Sequence, residues 1–511
     1  MKRDSLLFHT ILYLSLPFLL FCFLFLQWYV ALIFSVSLSY AGLYVWRQYA
    51  NHEDSGRLSC LQILLLIVSA IFICLVSGIS GYLSQSYDWI VKNPVLNDLT
   101  LSSWPLILDF SEATDDVQSL CGEGQVAFVY YLFYYLPAAL IGKIFGSLMV
   151  ARLTLFLWSV YGLTLVGCWL LHIVTQRFRL NYKKIFFVLV VFVLWGGLDI
   201  VGQGIKVLLS NNPNMSFFSW FDHWSLPYFM YHANFSSLYW CFNQCIPLWL
   251  IVLLILHLQD IRTVIFFFSF SLLYSPWGAI GLLPIVAVFI LTEIGKKGLS
   301  AFREIVNFPN IVFPLLLLLL VGSYYLSNST PIPEKGFFWE FWSVSDFLVA
   351  YIVFLLVELG IYVYLLRQEM RDDKILLSAV IVLSLIPLYK MNYANDFVLR
   401  ASIPALFIVC VKWIQWSCTH FNEHRIAIMS VLLLSSFSAI QQIYHNTYDT
   451  IVLGESKTYC ENDRFSSGDN VKLSILGESQ FFAHDYEETL FWKYMAKESF
   501  IILLYTNFET I

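Results

Sequence analysis

Two carboxylates set in apolar sequence are the first residues here that could do chemistry. Asp88 stands in YDWI and Asp98 stands ten residues later in VLNDLT. A carboxylate beside an apolar wall has its charged form destabilised and titrates above the ordinary range. That suits a general base working near neutral pH, or a ligand for a divalent cation. Such a placement costs free energy unless a partner or a task compensates. Asp109, Glu112, Asp115, Asp116 and Glu123 follow in the same stretch and read as a solvated acidic loop.

A second group lies in YKMNYANDFVLRASIPAL. Asp396 and Arg400 are four apart, so on a helix they share a face and can pair. The plain reading is that salt bridge alone. The chemical reading is that the planar fork of Arg400 meets a phosphate at headgroup depth, oriented by Asp396, with Lys390 in the preceding loop. A third group, WFDHWSLPYFMYHANFSSLYWCFNQC, interleaves Asp222, His223, His232, Asn234, Asn243 and Gln244 with Trp220, Trp224, Tyr228, Tyr231, Tyr239 and Trp240. Aromatic faces beside amides and carboxylates hold a sugar by stacking on its C–H face and hydrogen-bonding its hydroxyls. The competing reading is an interfacial aromatic belt. His223 and His232 have no ligand partners at a recognisable spacing and no CxxC occurs, so no residues are assigned to a metal. Cys121, Cys241, Cys245 and Cys460 fall where a disulfide could form.

The elements that must position these groups follow from composition. Of 511 residues, 59% are hydrophobic, 18% aromatic and only 13% charged. An ordinary soluble domain carries about 25% charged residues, and the mean hydropathy here is +0.71. The chain therefore reads as an all-α polytopic membrane protein. A net charge of −6 offers no basic excess for a nucleic-acid partner. No GxxxxGK[ST] or GxGxxG motif provides a nucleotide site.

Apolar runs of about 17–25 residues can cross a bilayer as helices. Spans are expected near 6–26, 28–46, 59–83, 149–174, 184–201, 310–327, 345–366, 375–390, 399–416 and 426–444. Three pieces near 246–258, 262–275 and 279–293 are only about fourteen residues each, short for unaided crossing. Thirteen spans with the N-terminus inside place seventeen Lys and Arg in cytoplasmic loops, against seven in the outer loops before the tail. This is the distribution that the positive-inside rule favours. It requires that Val126–Gly146 does not cross, so this segment is expected to lie at the outer surface as an interfacial helix or a re-entrant hairpin. The expected topology is N-in/C-out. It comprises a transmembrane hairpin at 1–58, a core at 59–445 with outer loops 84–148 and 202–245, and a short extracytoplasmic cap at 446–511. Asp199, beside the glycines of LWGGLDIVGQG, falls at the outer end of its span.

This arrangement resembles the GT-C class of integral membrane glycosyltransferases. The likeness rests on DWxxxNxxLxDL (Asp88, Trp89, Asn93, Leu96, Asp98, Leu99), YYLxYYLPAALxGKxFG (Tyr130 to Gly146) and NDFxxRASIPAL (Asn395 to Leu406). These strings look like those of a bacterial group of GT-C-like membrane proteins. The resemblance implies a polyprenyl-phosphate-linked sugar as donor, a glycan or lipid acceptor, and catalysis on the extracytoplasmic face of the plasma membrane. By position, Asp88 matches the catalytic carboxylate, Asp98 a second acidic residue and Arg400 a phosphate binder. No cofactor is assigned, and a divalent cation would suit the acidic residues. The competing expectation is a transporter or flippase of lipid-linked sugars, which needs ionisable residues within the membrane. Glu358 is the clearest of these. A non-catalytic protein of the same fold is the third reading.

Overall fold

The computed structural model describes residues 3–49, 57–112, 114–115, 118, 124–175, 182–210, 214–226, 228–328, 334–392, 395–454, 458–467 and 481–497. Asp116, Cys121 and Glu123 of the acidic loop lie outside them. The architecture is mostly helical, with a few short strands. Among the described residues, nine helices are long and apolar enough to cross a membrane. Their outward faces carry large apolar side chains at helical spacing. Leu315, Leu318 and Leu319 are exposed on Phe313–Tyr325, as are Leu348, Val349, Ile352 and Leu356 along Val344–Leu365. Water would not tolerate such stripes, whereas lipid does. The chain is a multi-pass membrane protein.

Several expected spans coincide with single helices, among them Arg3–Phe25, Trp28–Tyr49, Leu148–Thr175 and Val344–Leu365. The three short central pieces come out differently. The first begins at Asn234 and runs to Leu258, twelve residues earlier than hydropathy indicates. Its polar start is buried, with Asn234, Ser236, Ser237, Asn243 and Gln244 all inside the bundle. The helix is therefore long because protein, not lipid, surrounds its first turns. The third becomes the 22-residue helix Pro276–Lys297. The second stays short, as Val264–Ser269 and Ser271–Tyr274.

The expected spans 399–416 and 426–444 fall within one helical run, Asp396–Ser435, followed by Phe437–Thr447. Its backbone departs from helical geometry at His420 and His424, and both imidazoles stack on Trp416. A straight helix would separate Arg400 from Gln442 by about 60 Å. Instead Gln442 bonds Asp222, and His232 lies within electrostatic reach of both Asp222 and Arg400. The chain must therefore double back at 420–424, as a helical hairpin.

The bundle has two unlike ends. At one, the basic end, Asp260 accepts hydrogen bonds from Tyr49, Gln48 and Arg262, while Lys412 pairs with Asp373. At the other, the loop end, the 84–148 and 202–245 segments gather with the described parts of the tail. Leu136–Phe145 packs there against Leu148–Thr175. At ten residues, or about 15 Å, it is too short to cross. Strands Ile107–Asp109, Gln125–Phe128 and Phe482–Ala483 form a three-stranded antiparallel sheet. Asn93 and Asn97 donate to the carbonyls of Tyr459, Glu461 and Asp463, and Arg152 pairs with Glu461. The tail is thus laid across the helix Trp89–Leu101. Cys241 and Cys245 are free thiols.

Candidate functional site

Asp88 immediately precedes the helix Trp89–Leu101, and its side chain makes no capping hydrogen bond. The carboxylate instead lies 3.8 Å from Lys92 one turn later, with 40% of its side chain exposed. Lys92 is buried. Its ammonium donates to the Trp240 carbonyl and sits over the stacked rings of Trp89 and Phe242. Burial pushes the Lys92 ammonium below its ordinary range; Asp88 counteracts this and Arg400 adds to it. Lys92 and Arg400 are therefore close enough to repel.

Arg400 is positioned by the start of its own helix. Asn395 adopts a left-handed conformation (φ 54°), caps that helix through Val398, and donates to the Tyr228 carbonyl at 2.9 Å. Asp396, in the first turn, holds Arg400 at 2.8 Å and accepts from Asn392 at 2.8 Å. The buried Nε of Arg400 has no hydrogen-bond partner among the described residues. Cys241 is near both sets. Its backbone breaks helical geometry, and its thiol is within electrostatic reach of Arg400, Lys92, Asp88 and Asp396 together. Residues far apart in sequence thus come near one another at the end of the bundle.

Trp240 touches both Lys92 and a second cluster. The indole ring lies 5.6 Å from His223 and 6.5 Å from His232, measured between centroids. Asp222, His223 and His232 present ligand atoms all within 4.8 Å of one another. Asp222 accepts from Gln442 through Oδ2 at 2.8 Å, whereas its buried Oδ1 has no hydrogen-bond partner among the described residues. Neither ring nitrogen of His232 has one. Burial lowers the His232 imidazole to about 4, with Asp222 opposing, so the ring is neutral at physiological pH. Asn243 is buried two residues beyond Cys241, with Nδ2 unpartnered among the described residues.

Asp98 and Lys390 each have partners of their own. Asp98 is fully buried and accepts from Phe465 N at 2.6 Å, Ser466 Oγ at 2.5 Å, Arg464 Nε at 3.1 Å and Ser466 N at 3.4 Å. Burial raises its pKa against these donors. It lies ten helical residues, about 15 Å, from Asp88, and it anchors the tail. Lys390 pairs with Glu334 at 2.5 Å beside the rings of Phe341 and Trp342, at a two-stranded ribbon with Gly336–Phe337.

Lys92 and Gln442 are the contributors that sequence reasoning missed. Lys92 carried a usable signal, its i,i+4 spacing from Asp88. Gln442 carried none. Asp199 and Glu358 lie side by side, buried, behind the Asp222 loop. Glu358 accepts from Trp224 Nε1 at 2.8 Å and Asp199 from Ser438 at 2.5 Å. Gly197 leaves the space that the Glu358 carboxylate fills.

Compared with protein-family models, curated proteins and solved structures, the chain matches none.

Proposed function

We propose that this chain is a membrane-embedded glycosyltransferase that passes a sugar from a polyprenyl-phosphate carrier to a glycan or lipid acceptor. The observation that carries the reading is the neighbouring cations, buried Lys92 and partly exposed Arg400, adjacent to the half-exposed Asp88. Each cation already has one carboxylate partner, Asp88 at 3.8 Å and Asp396 at 2.8 Å, and two neighbouring cations in a partly apolar surround favour a further anion shared between them. A phosphate at the membrane boundary is such an anion, and among the described residues the Arg400 Nε donor has no partner. Asp88 takes the proton from the acceptor hydroxyl as its oxygen attacks the anomeric carbon. The bond from that carbon to the phosphate oxygen breaks, and Lys92 and Arg400 hold the departing phosphate. Asn243 and the Trp240 ring are suited to the sugar.

The concentration of Lys and Arg in the turns at 262, 296–303, 367–374 and 412–425 favours placing that end in the cytoplasm. The Asp88, Lys92 and Arg400 group then faces the extracytoplasmic side, in a bacterial plasma membrane on this reading. The test is Asp88→Asn, assayed with a labelled polyprenyl-phosphate sugar. Transfer should fall at least about 100-fold. A partly exposed ion pair contributes under about 1 kcal/mol, so folding should persist. Undiminished transfer in a folded variant overturns the assignment.

A second reading, a flippase for the same lipid-linked sugar, is favoured by the buried Asp199–Glu358 pair, two adjacent carboxylates able to carry a proton. Lipid translocation in vesicles that Asp199→Asn abolishes and Asp88→Asn does not would select it.

A further inference from the structure

We propose that Asp222, His223 and His232 form a binding site for one divalent transition-metal ion, with Zn2+ as the probe. The inference is independent of the transferase reading. Their ligand atoms already lie within 4.8 Å of one another, although they come from both ends of a ten-residue loop. Asp222 Oδ1 faces His223 Nε2 at 3.8 Å. Asp222 and His232 are 2% and 3% exposed, and the atoms they turn toward the cluster have no hydrogen-bond partner among the described residues. Buried polar atoms rarely stay unsatisfied, and a cation satisfies a carboxylate oxygen and two imidazole nitrogens at once.

The surroundings favour a metal over a simple ion pair. Gln442 holds Oδ2 of Asp222 and so aims Oδ1 into the cluster, as outer partners of metal ligands do. Gln441 fixes the loop by accepting from Phe221 N and donating to the Ser219 carbonyl. The nearby cations Arg400 and Lys92 each carry their own carboxylate, Asp396 and Asp88, which offsets their repulsion of an incoming ion. Two imidazoles and one carboxylate select a borderline ion such as Zn2+ over Mg2+ or Ca2+, which prefer all-oxygen sites. Bonds of about 2.1 Å draw tetrahedral ligand atoms to roughly 3.4 Å of one another. His223, the one partly exposed member, closes that gap by rotating inward. Three protein ligands leave a coordination position open.

The experiment is zinc binding by the full-length chain, purified in detergent without a polyhistidine tag and stripped with chelator. Wild type is expected to take up one tightly held Zn2+ per chain, in the presence of excess Mg2+. His223→Ala and His232→Ala should lose that ion, while Gln442→Ala should retain it with affinity reduced at least about 10-fold. His232 is buried and its variant risks misfolding, so His223→Ala, judged against an unchanged melting profile of the metal-free protein, is the decisive variant. Substoichiometric zinc in wild type, or wild-type zinc in a folded His223→Ala, overturns the proposal. Because no lipid or sugar is present, neither result bears on whether Lys92 and Arg400 bind phosphate.

Discussion

Replacing Asp98 with alanine removes the acceptor for three short hydrogen bonds, from Phe465 N, Ser466 Oγ and Arg464 Nε, and a longer one from Ser466 N. Losing one partner of a buried ion pair costs about 3–5 kcal/mol. Arg464 keeps a third of its side chain in solvent, and the Ser466 hydroxyl can turn away, so both recover part of their loss. The Phe465 N–H is buried and loses about 1–3 kcal/mol outright. Removing the carboxylate also relieves the desolvation that raises its pKa. The net expectation is about 3 kcal/mol, the lower end of the range for breaking a buried pair. It falls on the tail rather than on the bundle, because every partner lies within 464–466. At about 1.4 kcal/mol per decade, opening of 458–467 should become about 100-fold more frequent. Amide hydrogen exchange reads this directly. Asp98→Ala should lose protection there, while the helix Asn234–Leu258 keeps its own. Unchanged exchange at 458–467 would refute the anchoring role and return Asp98 to the list of residues free for chemistry.

Further perturbations test the scaffold. A Cβ on Gly281 would overlap the Ala401 carbonyl, which is backbone and cannot yield. Gly281→Ala should therefore separate the helix Pro276–Lys297 from the one bearing Arg400 and destabilise by about 1–3 kcal/mol, seen as a lower melting temperature. Burial, with Arg464 adding to it, lowers Lys143 to about 8. Between pH 8 and the unfolded value of 10.5 the unfolded chain holds a proton that the folded chain has lost. This penalty is present in full below pH 8 and fades as pH rises. Lys143→Met should melt above wild type at pH 7, with the difference shrinking by pH 10.

Hydropathy made most crossings legible, because lipid-facing stripes such as Leu315, Leu318 and Leu319 need no partner to be recognised. It failed at Asn234–Gln244, where buried polar residues are matched by neighbouring helices rather than by lipid. The acidic and aromatic clusters around Asp88, Arg400 and Asp222 were also visible as unusual local composition. Their geometry was not. Asp98 looked equivalent to Asp88 until Arg464 and Phe465, more than 360 residues away, came to cover it. His223 and His232 showed no ligand spacing, because the loop that brings them together is closed by Gln441 and Gln442 of a distant helix. The partner of Lys390, Glu334, lies 56 residues away and gave no signal in the sequence.

The central claim is that Lys92 and Arg400 together hold a lipid-linked phosphate. Binding of a polyprenyl phosphate to the purified chain, measured for wild type, Lys92→Met, Arg400→Gln and the double variant, tests it most directly. Each single change should weaken binding by at least about 10-fold, as for a lost charge-assisted contact. The combined loss should fall short of the product of the two, because the cations share one anion. Equal affinity in wild type and in a folded double variant would contradict the claim.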